Sequence, residues 1–210
     1  MKTLTALALL LAFCIPASAP ARAQAPATAR VVLAGGCFWG MQLVFESLEG
    51  VNRVVAGYSG GKADTAQYET VSTGVTGHAE SIEVTYDPSK ISFKQLLDVY
   101  FLVAHDPTQR NRQGPDFGSQ YRSEIFYTTP GQQAEALAYI AHLQSAKVYS
   151  KPIVTIVAPL EGFYPAEAYH QDYAIHNPYN PYIVFNDLPK LKKLRATYPA
   201  LVKPDAPFGS

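Results

Sequence analysis

Residues 78–88, HAESIEVTYDP, alternate with a period of two. Ile82, Val84 and Tyr86 fall on one side of an extended chain, and Ser81, Glu83, Thr85 and Asp87 on the other. A one-residue slip would move every apolar side chain into water, so this segment predicts a strand with one face on a core. The chain must therefore build a sheet and pack something against it. Glu80 has the parity of the apolar face and is the misfit.

The rest of the chain supplies the partners. RVVLAGG (30–36), VNRVVAGYSGG (51–61), RSEIFYT (122–128) and PIVTIVAPL (152–160) read as strands. FWGMQLVFESL (38–48) carries apolar residues at helical spacing, with Gly50 as its stop. SFKQLLDVYFLVAH (92–105) predicts an amphipathic helix with Ser92 as N-cap. TPGQQAEALAYIAHLQSA (129–146) predicts another, with Thr129 as N-cap and Pro130 at its first position. Residues 165–175 and 187–198 look helical around a loop, and 61–77 reads as loop and turns. Residues 106–121 form a long polar loop, which inside a compact domain is usually functional. Interleaved strands and helices point to the α/β (α+β) class, a two-layer sandwich of a mixed sheet with helices packed on it.

The first residues read as an export signal. Lys2 is the basic start, Leu4 to Ile15 an apolar run too short to span a membrane, and Ala21-Arg22-Ala23 a cleavage site. A lipoprotein reading with Cys14 as the lipidated residue is disfavoured by the bulky Phe13 before it. The expected organisation is a secretory signal at 1–23, a disordered lead-in at 24–29 and one domain over 30–210, placing the protein in the periplasm or outside the cell. Removal of the signal leaves Cys37 as the only cysteine, in a compartment where a lone thiol is unusual. Seventeen basic and seventeen acidic residues cancel without a basic stripe, so neither nucleic acid nor an anionic membrane is an expected partner.

Cys37 sits where a strand ends and a helix begins. There, unpaired amides and the helix dipole favour a thiolate. Its alternative is an inert core thiol, since free cysteine is among the most buried residue types. The glycines around it, Gly36 among them, let backbone approach a ligand closely, and Phe38 and Trp39 offer an apolar seat. Glu80, if buried, should be pushed toward a neutral acid able to give up a proton; a salt bridge or a wet strand end is the bland alternative. Tyr68 and Tyr121 flank polar loops and add hydroxyls.

GGCFWG, GYSGG, TGHAESIEVTYDP, HDPTQRNRQGPDFGSQYRS and FYPAEAYHQDY, in this order, resemble peptide-methionine (S)-S-oxide reductase, the A-type methionine sulfoxide reductase. The resemblance runs from about Val31 to Leu194. It implies a catalytic cysteine at Cys37, at a helix N-terminus, with a protonated Glu80, Tyr68, Tyr121 and Asp116 completing the catalytic set. It places Phe38 and Trp39 around the sulfoxide's methyl group; Gly36 and His78 are further expected substrate-binding positions. It implies repair of methionine sulfoxide, in oxidised proteins or as small molecules, with no bound cofactor and no metal. Cys37 would become a sulfenic acid and be recycled by a thiol. Many relatives carry resolving cysteines near the C-terminus; the segment after Asn180 has none, which implies the branch recycled by an external reductant, a thioredoxin-like protein or dithiothreitol. Residues 64–67, DTAQ, lack the proline some relatives have before the tyrosine matching Tyr68.

Two other readings compete. A cysteine hydrolase or acyltransferase would pair Cys37 with one of His78, His105, His142, His170 or His176. A non-enzymatic peptide-binding module would use the aromatic patch and tolerate loss of the thiol.

Overall fold

The computed structural model describes residues 28–209; the expected signal and most of the expected lead-in lie outside the described residues. The elements are β1 (Ala29–Gly35), α1 (Phe38–Glu46), β2 (Val51–Ser59), α2 (Tyr68–Val71), β3 (Ala79–Tyr86), α3 (Phe93–Val99), β4 (Arg112–Gln113), β5 (Asp116–Phe117), β6 (Ser123–Tyr127), α4 (Pro130–Ser145), β7 (Ile156–Pro159), β8 (Phe163–Pro165), α5 (Tyr173–His176) and α6 (Leu188–Thr197). The first strand starts at Ala29, paired with Tyr86, so the domain begins one residue inside the expected lead-in.

Six strands form one mixed sheet in the order β7-β6-β1-β3-β2-β8. Only β6 and β7 run parallel. Val31 and Leu33 of β1, Ile82, Val84 and Tyr86 of β3, and Val54, Ala56 and Tyr58 of β2 join the main core with α1, α3 and α6. On the opposite face Val32, Ala34, Ala79 and Phe126 form a smaller cluster under Leu160 and Phe163. The alternation read in β3 therefore sorts side chains as expected, and β1 is buried on both faces.

Local chemistry accounts for the helix starts. Ser92 caps α3 and forms a reciprocal capping box with Gln95, and the Thr129 side chain accepts from Gln132 N–H above Pro130. The expected helix 92–105 is α only to Val99; Tyr100–Ala104 continue as a π turn. There the Tyr100 hydroxyl donates to Ala34 C=O at 2.7 Å and its carbonyl accepts from His105 Nδ1 at 2.8 Å.

Three expectations are corrected. Residues 165–175 are not one helix: Phe163–Pro165 pair as an edge strand on β2, Ala168–His170 make a 3-10 turn, and Asp172 is left-handed at φ 54° before the single turn of α5. Helical spacing misleads there because the side chains are spent on distant partners: Glu167 on Tyr58 and Tyr68, and Gln171 on both polar groups of Ala56. The strand expected over 152–160 is short, Ile156–Pro159. The loop 106–121 contains the hairpin β4–β5 and a 3-10 turn, Ser119–Tyr121.

Candidate active site

Cys37 is placed by the strand-to-helix turn. Gly36 adopts φ +95°, and a β-carbon there would stand 2.6 Å from Gln113 Cβ. Gln113 is in turn zipped to the Asp106 backbone, so the loop 106–121 docks onto the turn. Cys37 is the N-cap of α1 and only 8 % exposed. Burial pushes its thiol well above the usual range, and the charges of Glu80 and Asp187 add to this. The Trp39 amide and Lys190 oppose them, although sulfur makes no capping hydrogen bond. The helix-start argument for a resting thiolate is thus overturned: the dipole is present, but the cost of an ion in a dry site exceeds it.

Glu80 lies opposite Tyr58 on the core face of β3, 3 % exposed. Its Oε2 accepts the Phe38 amide, the first of α1, at 3.1 Å. Burial pushes its carboxyl up to about 8; the Phe38 amide and the Cys37 thiol pull down and Asp116 pushes up. At neutral pH a carboxylic acid and a thiol stand side by side.

The other groups come from irregular segments. Tyr68 opens α2, its amide bound to Glu167 Oε1 and its ring 4.4 Å from that of His170. Tyr121 ends the 3-10 turn, which is tied down by Ser119 Oγ donating to Gly74 C=O, Gln120 Nε2 donating to Ser72 C=O, and Arg122 donating to Ser119 and Gly77 C=O. Burial raises both tyrosines, Tyr121 strongly, and the charge of Glu80 adds to each, so both stay protonated donors. The Tyr182 hydroxyl donates to Asp116 Oδ2 at 2.5 Å. Burial raises Asp116, and that hydrogen bond pulls it down.

Phe38 is buried with its ring 5.0 Å from that of His170. Trp39 is clamped: stacked on Tyr173 at 3.8 Å, edge-on to Tyr182 at 5.9 Å, with Nε1 donating to His170 Nδ1 at 3.1 Å. An indole N–H only donates, so Nδ1 carries no proton, and burial lowers this imidazole so that it stays neutral. His78 is placed elsewhere than in this ring of groups. It is 1 % exposed, packed edge-on to Tyr58 and Tyr164, with Nε2 donating to Lys62 C=O.

Sequence reasoning missed His170 as a partner of Trp39, and it missed Tyr173, Tyr182, Asp187 and Glu167 altogether. For Glu167, His170 and Tyr173 the one local signal was the density of hydrogen-bonding side chains in EAYHQDY, and Tyr182 and Asp187 had none. The three buried histidines among the described residues are engaged with partners other than Cys37. His105 uses Nδ1 on Tyr100 C=O and Nε2 on Ser123 Oγ, His170 faces Trp39, and His78 faces Lys62. A buried nucleophile beside a neutral acid and two hydroxyls, walled by aromatics, suits an uncharged substrate whose oxygen must be protonated as it leaves.

Comparison with known proteins gives the same chemistry. The family model described as peptide methionine sulfoxide reductase matches residues 29–201. The chain is 56 % identical over 177 residues to peptide methionine sulfoxide reductase MsrA 2 of Mesorhizobium japonicum, covering 84 % of this chain and 91 % of that one. It is 51 % identical to the protein of that name in Synechocystis, covering 85 % and 84 %. Among solved structures, the reduced form of Mxr1 from Saccharomyces cerevisiae superposes with a TM-score of 0.69 at 33 % identity, covering 73 % of this chain and 87 % of that one. Methionine sulfoxide reductase A of Corynebacterium diphtheriae superposes with a TM-score of 0.65 at 35 % identity, covering 75 % and 79 %. The chain belongs to the peptide methionine sulfoxide reductases, of the A type: an oxidoreductase that repairs oxidised methionine.

Proposed function

We propose that Cys37 attacks the sulfur of an S-epimer methionine sulfoxide, peptidyl or free, while Glu80 protonates the departing oxygen, and that an external thiol then restores Cys37. The observation that carries this reading is the neutral carboxyl of Glu80, held on the first amide of α1 next to the buried thiol. The overall step balances as thiol plus sulfoxide giving sulfenic acid plus thioether. The methionine sulfur gains an electron pair, and the Cys37 sulfur loses one and takes the oxygen. Tyr68 and Tyr121 donate hydrogen bonds to that oxygen, and Phe38 with the clamped Trp39 seats the methyl group. Asp116, with Tyr182, lies at the edge of the same site.

Cys37 is the only cysteine among the described residues, so no internal disulfide discharges its sulfenic acid there. A reductant thiolate attacks Cys37 sulfur, the S–O bond breaks, and the oxygen leaves as water; a second thiol releases the mixed disulfide. A solved structure of the yeast relative holds Mxr1 in complex with Trx2, which supports a thioredoxin-like donor. The N-terminal pattern of Lys2, the apolar run and Ala21-Arg22-Ala23 supports export, with repair in the periplasm or outside the cell. N-terminal sequencing of the protein from fractionated cells tests that; a cytoplasmic chain still carrying Met1 contradicts it.

The activity test uses resolved sulfoxide epimers. Without reductant the mature protein should form one methionine per chain from the S epimer and stop, leaving a sulfenic acid that dimedone traps. Dithiothreitol should restart turnover, and Cys37→Ser should abolish it. Turnover confined to the R epimer, or a fully active Cys37→Ser, would overturn the reading.

A further inference from the structure

Asp187 has no exposed surface, yet it has no part in the chemical steps of sulfoxide reduction. It is the N-cap of α6, but its side chain makes no capping hydrogen bond. The carboxylate turns toward α1 instead. Oδ1 pairs with Lys190 Nζ at 3.1 Å, and Oδ2 is buried with no hydrogen-bond partner. The pair lies on the backbone of Gly40, where a β-carbon would overlap Asp187 Oδ1 and stand 2.8 Å from Lys190 Nζ. Glycine inside a helix is less favourable than alanine, and here its missing side chain admits the ion pair.

Gly40 is the third residue after Cys37, which caps α1. The ion pair therefore packs on the first turn of the helix that Cys37 caps. We propose that Asp187 and Lys190 are positioning residues for the known reaction, a buried charge pair that sets how readily Cys37 ionises. The carboxylate disfavours the anionic sulfur and the ammonium favours it, on top of the burial that already holds the resting enzyme in the neutral thiol. This rests on the reading of Cys37 as the nucleophile.

The charges around Cys37 come from several elements. Glu80 is on β3, while Asp187 and Lys190 are at and near the start of α6; all three act on the thiol directly. The ionisation of Cys37 also bears on Tyr68, Tyr121 and Tyr182. Asp116 on β5 acts on Asp187 and Glu80. Among these, Lys190 is the cation, so the pair can be tested by charge alone.

The experiment follows Cys37 ionisation by thiolate absorbance and iodoacetamide rate against pH, in the full chain. Asp187→Asn should lower the midpoint by about one pH unit, giving roughly tenfold faster alkylation below it. Adding Lys190→Met to that variant should raise the midpoint again by half a unit or more, whereas adding Lys190→Arg should leave it low. A merely structural role would not give opposite shifts for opposite charges. A midpoint unmoved by Asp187→Asn, or both steps moving it the same way, overturns the proposal. Should Asp187→Asn not fold, the Asp187 carboxyl carbon of the wild type is followed by NMR instead. It should shift with the Cys37 midpoint and lose that inflection in Cys37→Ser; an Asp187 signal indifferent to Cys37 overturns the proposal. Failure of the nucleophile reading is distinct, because it appears as methionine formation surviving in Cys37→Ser.

Discussion

The site has two sides built in different ways. One is the junction of β1, α1 and β3, where Cys37 and Glu80 sit on regular elements and meet through the Phe38 amide. The other is a set of irregular segments, 61–77, 106–121 and 163–187, that bring in Tyr68, Asp116, Tyr121, His170 and Tyr182. On the first side, backbone pairing fixes geometry: Glu80 is opposite Tyr58 in β2, and only two residues separate β1 from α1. On the second side, side chains hold backbone. Glu167 binds the Tyr58 hydroxyl and the Tyr68 amide, Gln171 reads Ala56 as a strand would, and Arg122 pins the turn before Tyr121. In the proposed mechanism, bond making, proton transfer and the methyl seat of Phe38 and Trp39 thus fall to the rigid side, and hydrogen bonding to the oxygen to the laced side.

The largest effect should come from the rigid side. Glu80→Gln keeps the shape and the contact with the Phe38 amide but cannot deliver the proton. Single-turnover methionine formation should slow by roughly 100- to 10,000-fold. A rate within threefold of wild type (our tolerance) would move the acid role to the tyrosines and erase the division of labour.

The laced side should give smaller, overlapping losses. Tyr121→Phe and Tyr68→Phe each remove one donor to the developing charge, and the double variant should lose about 100-fold or more, exceeding either single change. Equal single and double effects would mean that only one hydroxyl reaches the oxygen. His170→Phe keeps the ring but removes the acceptor for Trp39 Nε1, a neutral hydrogen bond worth about 1 kcal/mol. Sulfoxide affinity should weaken several-fold with the chemical step less affected, and Trp39 fluorescence should change; an unaltered emission spectrum would show that stacking on Tyr173 alone sets the indole.

These two sides are not equally legible in the sequence. Period-two alternation by itself puts Glu80 on the core face of β3, and the strand–glycine–helix pattern puts Cys37 at a helix start. Both readings rest on local periodicity, which survives in the fold. The resting charge of Cys37 is not legible, because it depends on burial and on Asp187, which is 150 residues away in the chain. The 165–175 segment misreads as a helix for the same kind of reason: its side chains serve partners more than 90 residues distant. The motif resemblance points to Tyr68, Tyr121 and Asp116, but periodicity alone shows nothing of how they converge.

A separate effect is expected on stability rather than on rate. The folded pKa of Glu80 is raised from 4.5 to about 8, so the unfolded chain releases this proton first as pH rises. The contribution of Glu80 to stability is fully present below about 4.5 and declines through about 8. Glu80→Gln should flatten that part of the stability profile in denaturant titrations between pH 5 and 8; an unchanged slope would show that Glu80 is already ionised in the fold.

The protonation state of Glu80 in the resting enzyme is the most direct test of the account. Infrared difference spectra, with Glu80→Gln as the reference, should show a protonated carboxyl band at pH 6 that converts to carboxylate with a midpoint near 8. A carboxylate already present at pH 6, with a midpoint in the ordinary range near 4.5, would contradict it.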